Sequence, residues 1–414
     1  MAEMDATDVI HDWNVVGEKS APPLRRVEVH DETLRDGIQC PSAYDPKLDE
    51  KLEIVRLMAQ CGIDSVDVGL PGAGPRAVAD SLAIIELIRD EKLGIRPGCA
   101  ARTHANDIRP ILDISEKTGV PVEVMAFIGS SPIRMYAESW GEDRLEELTR
   151  SAIKLSADAG MPTSYVTEDT VRSRPETLKR LFTAAIEEGA ERLVLCDTVG
   201  HATPNGVYNL VTWTKNLLEG LGVADRITVD WHGHNDRGLA LVNALYAIDA
   251  GVDRVHGTVL GVGERVGNTA TDQVLVNLRL LGSDDHDVSP LAKLVEKVAK
   301  AVRWDVPVNY PVFGDDAFRT GTGVHAAAVI KAEKKGDTWL ADRIYSGVPA
   351  GWFGREQEIT IGHQSGESNI RYWLHKHGYE PTDALVSAIF AKAKSGSEML
   401  STAEIVAVIE HAQA

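Results

Sequence analysis

Two histidines and one aspartate are the residues of this chain best suited to hold a metal ion. His232 and His234 lie two residues apart at the end of the β-branched and aromatic run 227–231. Alternate residues of a β-strand point to the same side, so both imidazoles would enter one space. A His-x-His pair alone is weak evidence for a metal site. Asp36, which follows the first predicted strand, supplies a candidate carboxylate partner.

These three residues, with the side-chain amide of Asn268, would form a mixed set of nitrogen and oxygen ligands. Such a set suits Mg²⁺, Mn²⁺, Zn²⁺ or Co²⁺ in a five- or six-coordinate site that leaves positions for substrate. It lacks the thiolates of a closed structural zinc site. Arg35, next to Asp36, would stabilise an oxyanion as a carbonyl is attacked. The alternative is an arginine that only forms a structural salt bridge.

Eight short β-rich segments alternate with amphipathic helical segments and would position these residues. The predicted strands are 27–30, 65–69, 94–99, 122–128, 164–167, 192–196, 227–232 and 254–260. The predicted helices include 46–61, 76–91, 141–159, 175–188 and 204–219, and Pro46, Pro175 and Pro204 fall in their first turns. Eight such units favour a closed (β/α)8 TIM barrel of the α/β class over an open doubly wound sheet. The open sheet would want a Gly-x-Gly-x-x-Gly turn after its first strand, which the sequence lacks.

The alternation of strands and helices stops near residue 286, at the charged run 284–287. We therefore predict an N-terminal leader at 1–24, a catalytic barrel at 25–285 and a mostly helical C-terminal lid and dimerisation region at 286–414. Helices are predicted in this last region at 291–302 and from about Glu404 onward.

The charge balance of the chain excludes some partners. The 414 residues contain 43 basic and 62 acidic side chains, which give a net charge of −19. Such a chain repels nucleic acid and anionic membrane surfaces. Residues 1–13 lack the basic start and apolar core of a signal peptide, and no apolar stretch approaches a membrane span. The four cysteines are widely spaced, so a reducing, cytoplasmic setting is the simplest prediction.

Polar residues follow seven of the eight predicted strands, where a barrel of this kind carries its chemistry. Loops are generally polar, but seven that converge on one cavity favour an active site. In strand order the candidates are Arg35 and Asp36; Arg102 and His104; Arg134; Glu168; Thr198; His232 and His234; and the run 261–268, which includes Gly261, Gly263, Glu264 and Asn268.

Four sequence motifs resemble those of the DRE-TIM metallolyases, in the Claisen-condensing branch of homocitrate, 2-isopropylmalate and citramalate synthases. The motifs are residues 30–39, 167–169, 232–236 and 261–268, and the resemblance spans roughly residues 25–370. It implies that Asp36, His232 and His234 are metal ligands, that Asn268 lies close to the metal and that Arg35 is the catalytic arginine.

The resemblance also implies a reaction. Acetyl-CoA would condense with a 2-oxo acid, and hydrolysis of the thioester would release CoA, as in acyltransferases of the EC 2.3.3 type. Glu168 and Tyr345 would position groups or relay protons, and Thr198 would contact the oxo acid. Acetyl-CoA would bind near Gly261, Gly263, Glu264 and Asn268.

The region after the barrel carries further resemblance. Residues 321–325 resemble the Ser-Gly-(Ile/Val)-His motif of the synthases, which implies a homodimer in which His325 acts as a base in the partner's site. The lyase branch uses a cysteine after strand 8, but no cysteine follows Cys196 here. A metal-dependent lyase or aldolase remains an alternative, since it would not need His325. A non-catalytic, degenerate barrel is a second alternative, although no ligand is missing from the motifs.

The resemblance leaves the 2-oxo acid open, because Ile38 occupies a position where the synthases often carry glutamate. Residues 102–104 resemble the Arg-x-His of some homocitrate synthases, whose arginine meets a distal carboxylate. Arg134 adds a second cation, and a guanidinium recognises such groups well. Only 45 residues follow Asn369, so we expect this chain to differ from isopropylmalate synthases in lacking their long regulatory domain. We therefore expect a 2-oxo acid that carries a second anionic group.

Overall fold

The computed structural model describes residues 9–15, 25–283 and 285–413. It divides into two compact units, Met1–Trp304 and Asp305–Ala414. Of the predicted leader 1–24, only residues 9–15 are described, with one helical turn at Trp13–Val15; the rest of that prediction lies outside the described residues.

Eight parallel strands close a barrel in which each strand pairs with the next and the eighth pairs with the first. The strands are β1 Glu28–Asp31, β2 Ser65–Asp67, β3 Arg96–Arg102, β4 Glu123–Gly129, β5 Thr163–Glu168, β6 Arg192–Asp197, β7 Thr228–Gly233 and β8 Arg254–Gly257. Most of their residues are buried, because helices cover the outer face of a parallel barrel and side chains fill the inner one. The predicted TIM barrel is confirmed.

Ten helices are described in the first unit. They are α1 Leu48–Gln60, α2 Pro75–Asp90, α3 Ala105–Thr118, α4 Pro132–Glu138, α5 Glu142–Asp158, α6 Pro175–Glu187, α7 Pro204–Gly220, α8 Ala240–Ala250, α9 Thr271–Leu280 and α10 Leu291–Val302. Pro175 and Pro204 are the first residues of their helices, as predicted, whereas Pro46 lies two residues before the start of α1. Among the described helices, none has the length and apolar character that a membrane crossing requires.

The division between the units falls after Trp304, whereas the sequence suggested a boundary after residue 285. The difference is the helix α10, which belongs to the first unit. Its apolar face is buried, and the backbone N–H of Tyr44 donates to the carbonyl of Val302 over 2.9 Å. The guanidinium of Arg303 also lies 3.7 Å from the centre of the Tyr44 ring. These contacts fix the end of α10 to the segment before α1.

The second unit is mostly helical, as predicted. Two short parallel strands, β9 Arg319–Thr320 and β10 Glu358–Ile359, pair with each other. The helices are α11 Gly323–Lys334, α12 Thr338–Ala341, α13 Glu367–Lys376, α14 Asp383–Ser395 and α15 Thr402–Gln413. The last three enclose a core of buried aliphatic side chains that includes Ile370, Leu374, Ile389 and Ile405.

Candidate active site

Asp36, His232 and His234 meet at the carboxyl ends of β1 and β7. The Nε2 atoms of the two histidines are 3.2 Å apart, and each lies 3.6 Å from the Oδ2 atom of Asp36. The alternation of β7 turns both imidazoles inward, and the turn after β1 brings the carboxylate to them. The three side chains are buried and their ligand atoms are close enough to hold one metal ion. The structure therefore brings together the three residues that the sequence singled out.

Asn268 completes this cluster from the loop after β8. Its Nδ2 atom donates to Asp36 Oδ2 over 2.6 Å, and its backbone N–H donates to the carbonyl of Gly261 over 3.0 Å. At Gly267 the loop packs against its own backbone: φ is +93°, and a Cβ atom there would collide with the carbonyl oxygen of Gly261. A Cβ atom on Gly263 would likewise collide with the Asn268 amide. The glycines of this motif therefore serve to place Asn268.

The residues of the cluster fit a divalent cation. His234 Nδ1 and Asn268 Oδ1 are buried without a hydrogen-bond partner among the described residues. Burial lowers the pKa of His234 to about 4, so its imidazole is neutral, as a metal ligand must be. Rotation of the Asn268 amide by half a turn would direct Oδ1 toward the cluster. One carboxylate, two imidazoles and one amide form a set that divalent cations of the first transition series and Mg²⁺ accept.

Arg35 is surrounded by three carboxylates. Its guanidinium donates to Asp36 Oδ1 over 2.8 Å, to Glu32 Oε1 over 3.0 Å and to Asp67 Oδ2 over 2.8 Å. Burial opposes the charge, but these neighbours hold the pKa of Arg35 well above its usual value. Burial raises the pKa of Asp67 to about 6. Arg35 is thus a fixed cation beside the metal ligands and does not serve as a remote structural salt bridge.

A cavity of about 220 Å³ opens onto this cluster. One side of it is charged and includes Arg35, Asp36, His232, His234 and Arg265. The other side is largely apolar and is formed by Leu70, Ala100, Met125, Phe127, Val166, Val194 and Cys196. Three further residues predicted from the sequence also line the cavity: Glu168, Thr198 and Glu264.

Glu168 and Thr198 differ in how they are held. Burial raises the pKa of Glu168, which favours a protonated carboxyl that can donate a hydrogen bond. Thr198 accepts a hydrogen bond of 2.8 Å from the backbone N–H of Asp169, so its hydroxyl hydrogen stays available. Gly261 and Gly263 are not among the residues that line the cavity, and they shape the loop around Asn268.

Arg102, His104 and Arg134 do not line the cavity. Arg102 forms two hydrogen bonds, of 2.7 and 2.9 Å, with the carboxylate of Asp107 in the first turn of α3. His104 precedes that helix, where its Nδ1 atom accepts the N–H of Asn106 over 3.1 Å. Arg134 pairs with Glu138 over 3.2 Å. Each side chain that was predicted to bind an anionic substrate already has a partner within the chain.

His325 and Tyr345 belong to the second unit. Their rings stack with centroids 4.3 Å apart and an angle of 27° between the planes, although twenty residues separate them in the sequence. His325 is exposed and Tyr345 is about half exposed. Both predicted residues of this unit therefore occupy one accessible patch.

Three functional residues escaped the sequence analysis: Glu32, Asp67 and His256. Glu32 and Asp67 hold Arg35, and the Nδ1 atom of His256 lies 3.1 Å from Glu32 Oε1. The sequence did contain a signal for these residues. Ionisable residues recur at every second position in β7, in β8, and in β1 with the residues that follow it. A period of two with charged residues indicates a polar barrel interior.

Comparison with known proteins identifies the family of this chain. Residues 26–300 match the family described as HMGL-like, and the chain belongs to that family. It is 31% identical to a probable 2-isopropylmalate synthase of Methanopyrus kandleri, over 89% of this chain and 69% of that protein. It is also 31% identical to a homocitrate synthase of Pyrococcus abyssi, over 89% of this chain and 95% of that protein.

The fold of this chain is also similar to that of a protein of known structure. The HMG-CoA lyase of Bacillus subtilis superposes with a TM-score of 0.55 and 19% identity, over 68% of this chain and 96% of that one. At this identity the likeness concerns the fold alone.

Proposed function

We propose that this protein condenses acetyl-CoA with a 2-oxo acid and hydrolyses the resulting thioester. The observation that carries the proposal is the meeting of Asp36, His232 and His234 beside the permanent cation Arg35, at the mouth of a cavity. Relatives that resemble the chain over most of its length are named 2-isopropylmalate, homocitrate and citramalate synthases. A metal ion and a fixed cation can together stabilise the alkoxide that forms when a carbon nucleophile adds to a ketone.

The chain's own residues supply defined roles in this reaction. Asp36, His232, His234 and Asn268 would hold a divalent cation, which when bound supplies Lewis acidity at the carbonyl of the 2-oxo acid. Arg35 donates to the oxygen that becomes negative as C2 is attacked, and its three carboxylates keep its direction fixed. The carboxyl of Glu168 and the hydroxyl of Thr198 line the cavity and would orient the substrate.

The geometry favours a 2-oxo acid with an uncharged side chain. The sequence suggested a second anionic group, but Arg102 and Arg134 have partners in the chain and do not line the cavity. Arg265 does line it, yet its guanidinium is bound to Asp236 over 2.8 Å and to the carbonyl of Thr198 over 2.6 Å. An apolar wall would leave a second carboxylate without a partner, which costs several kcal/mol.

The test is an assay of CoA release from acetyl-CoA against pyruvate, 2-oxoisovalerate, oxaloacetate, 2-oxoglutarate and phosphonopyruvate. We expect turnover with one of the first two and little with the dianionic acids. Faster turnover of a dianionic acid than of pyruvate and 2-oxoisovalerate would contradict only the proposal that the substrate's side chain is uncharged. Absence of CoA release with every acid, from protein supplied with metal, would contradict the condensation itself. Cleavage of a 3-hydroxyacyl-CoA in the same preparation would identify the lyase alternative.

We further propose that the enzyme is a cytoplasmic homodimer in which His325 of one chain serves as the base in the site of the other. Support comes from the stacked and accessible pair His325 and Tyr345. The four free, buried cysteines are consistent with a reducing compartment. Asp36→Ala and His325→Ala proteins would each be inactive, but their mixed dimer would contain one intact site. Recovery of up to half of the wild-type activity per mixed dimer supports the shared site, and no recovery after proven subunit exchange contradicts it.

A further inference from the structure

Glu32 lies between two histidines in the interior of the barrel, just below the metal ligands. Its Oε2 atom is 2.8 Å from Nδ1 of His232, and its Oε1 atom is 3.1 Å from Nδ1 of His256. Arg35 donates to the same Oε1 atom over 3.0 Å. The carboxylate is 1% exposed, so these contacts alone decide its position. Glu32 therefore connects the ligand His232 to a residue that is outside the ligand set.

The contacts continue along the barrel axis beyond His256. Its Nε2 atom lies 2.9 Å from Asp230 Oδ2, and that oxygen accepts a hydrogen bond of 2.7 Å from Nε of Arg254. The Arg254 guanidinium then donates twice to Glu123, over 2.6 and 2.8 Å. Each ring nitrogen of His256 faces a carboxylate oxygen. Carboxylates therefore alternate with histidine and arginine side chains from His232 to the amino ends of the strands.

We infer that Glu32 and His256 are positioning residues that fix the ring of His232 for metal binding. The Glu32 carboxylate lies 2.8 Å from Nδ1 of His232, and this contact holds the ring with Nε2 directed at Asp36 and His234. His256 in turn contacts the other oxygen of Glu32. This contact keeps the carboxylate from rotating toward the metal site, where it could become a ligand. The inference rests on the metal site of the proposed function and assigns a role to two residues outside that site.

The experiment measures the binding of Co²⁺ to the full-length apoprotein, because the visible spectrum of Co²⁺ also reports its ligand set. Glu32→Gln should weaken binding roughly 10- to 100-fold, the usual effect of removing an outer partner of a metal-binding histidine. The shape of the spectrum should be retained, because the ligands themselves are unchanged. His256→Gln should weaken binding in the same direction but less, since Glu32 remains.

Asp67→Asn is the matched control. It removes another fully buried carboxylate that also accepts from Arg35, over 2.8 Å, and for which no contact with His232 is found among the described residues. Its affinity for Co²⁺ should equal that of the wild type. An equal loss in Asp67→Asn and Glu32→Gln would attribute the effect to the charge around Arg35 and overturn the inference.

The outcomes separate this inference from the proposed function. If wild-type protein binds no metal, the metal site itself is contradicted. If the wild type and Glu32→Gln bind Co²⁺ equally, only the positioning role is contradicted. If the Co²⁺ spectrum of Glu32→Gln differs from that of the wild type, Glu32 is itself a ligand, which also contradicts the positioning role. Should the variants fail to fold, ¹⁵N resonances of the histidine rings in Zn²⁺-loaded wild-type protein decide the matter. A hydrogen on Nδ1 of His232 supports the inference, and metal on Nδ1 overturns it.

Discussion

The two sides of the barrel interior differ sharply at the level of the cavity. Side chains from β1, β7, β8 and the turns that follow them are ionisable and bound to one another, as at Asp36, His232 and His256. Side chains from β3 to β6 are mostly apolar, as at Ala100 and Phe127. The first side therefore holds charged groups in fixed positions, and the second is an apolar surface that a substrate must fit.

This difference has an electrostatic consequence. The apolar side excludes water from part of the cavity, which lowers the effective dielectric around Arg35 and strengthens its interaction with a developing oxyanion. The side chains of this side that line the cavity include no lysine or arginine. The reaction should therefore depend on the charged side, and the choice of 2-oxo acid on the apolar side.

Removal of a metal ligand should have the largest effect on the charged side. Asp36→Ala should reduce kcat by about 10³-fold or more, because the Lewis acidity of the metal is worth several kcal/mol. Treatment of wild-type protein with a chelator should have the same effect, and Mg²⁺, Mn²⁺, Zn²⁺ or Co²⁺ should reverse it only in the wild type. Full activity in chelator-treated protein would show that the charged side of the cavity does not need a bound metal for the reaction.

Replacement of the fixed cation should have the next largest effect. Arg35→Lys keeps one positive charge, but an ammonium has three donors, so contacts with Asp36, Glu32 and Asp67 would leave none for the oxyanion. We expect kcat to fall by about 10²- to 10³-fold, as for the loss of an oxyanion donor, with little change in the KM for the 2-oxo acid. Steady-state kinetics at saturating metal measure both. A rise in KM with unchanged kcat would assign Arg35 to ground-state binding.

A change on the apolar side should alter selectivity and leave the chemistry intact. Ala100→Val adds two methyl groups to the wall, so kcat/KM for 2-oxoisovalerate should fall roughly 10- to 200-fold relative to pyruvate. Ala101→Val is the control, since the neighbouring residue of β3 is buried but does not line the cavity. If both variants change the ratio equally, the wall does not select the substrate.

The smallest effect is expected at Arg102. Because its guanidinium is bound to Asp107 and lies outside the cavity, Arg102→Ala should change the KM for every 2-oxo acid by less than about threefold, well below the loss expected for a charge-assisted contact. Michaelis constants for 2-oxoisovalerate and 2-oxoglutarate provide the test. A selective rise for 2-oxoglutarate would mean that Arg102 leaves Asp107 to bind the second carboxylate.

The sequence predicted most of the barrel and the meeting of Asp36, His232 and His234, because both depend on local patterns. The period of two in β7 directs His232 and His234 to one side, and motif order brings Asp36 to the same end of the barrel. The partner of Arg102 was not predicted, although Asp107 is only five residues away. Its carboxylate returns to Arg102 because α3 begins between them, and the sequence analysis did not consider pairs at that spacing.

The role of His256 could not be predicted from local patterns. It depends on the pairing of β8 with β1, which sets His30 beside His256 and brings residues more than two hundred positions apart into contact. A similar limit explains the boundary between the units. The amphipathic pattern of α10 predicts a helix but does not say which surface covers its apolar face.

The closed loop between Gly261 and Asn268 has a consequence for how such an enzyme can diversify. A Cβ atom at Gly263 would collide with the Asn268 side chain, and one at Gly267 would collide with the Gly261 carbonyl. Almost any replacement at either position should therefore displace Asn268 from Asp36. The wall at Leu70, Ala100 and Phe127 carries no such restriction. Libraries that seek new substrates should therefore randomise the wall and leave the loop untouched, since new specificities can arise there without loss of the underlying chemistry.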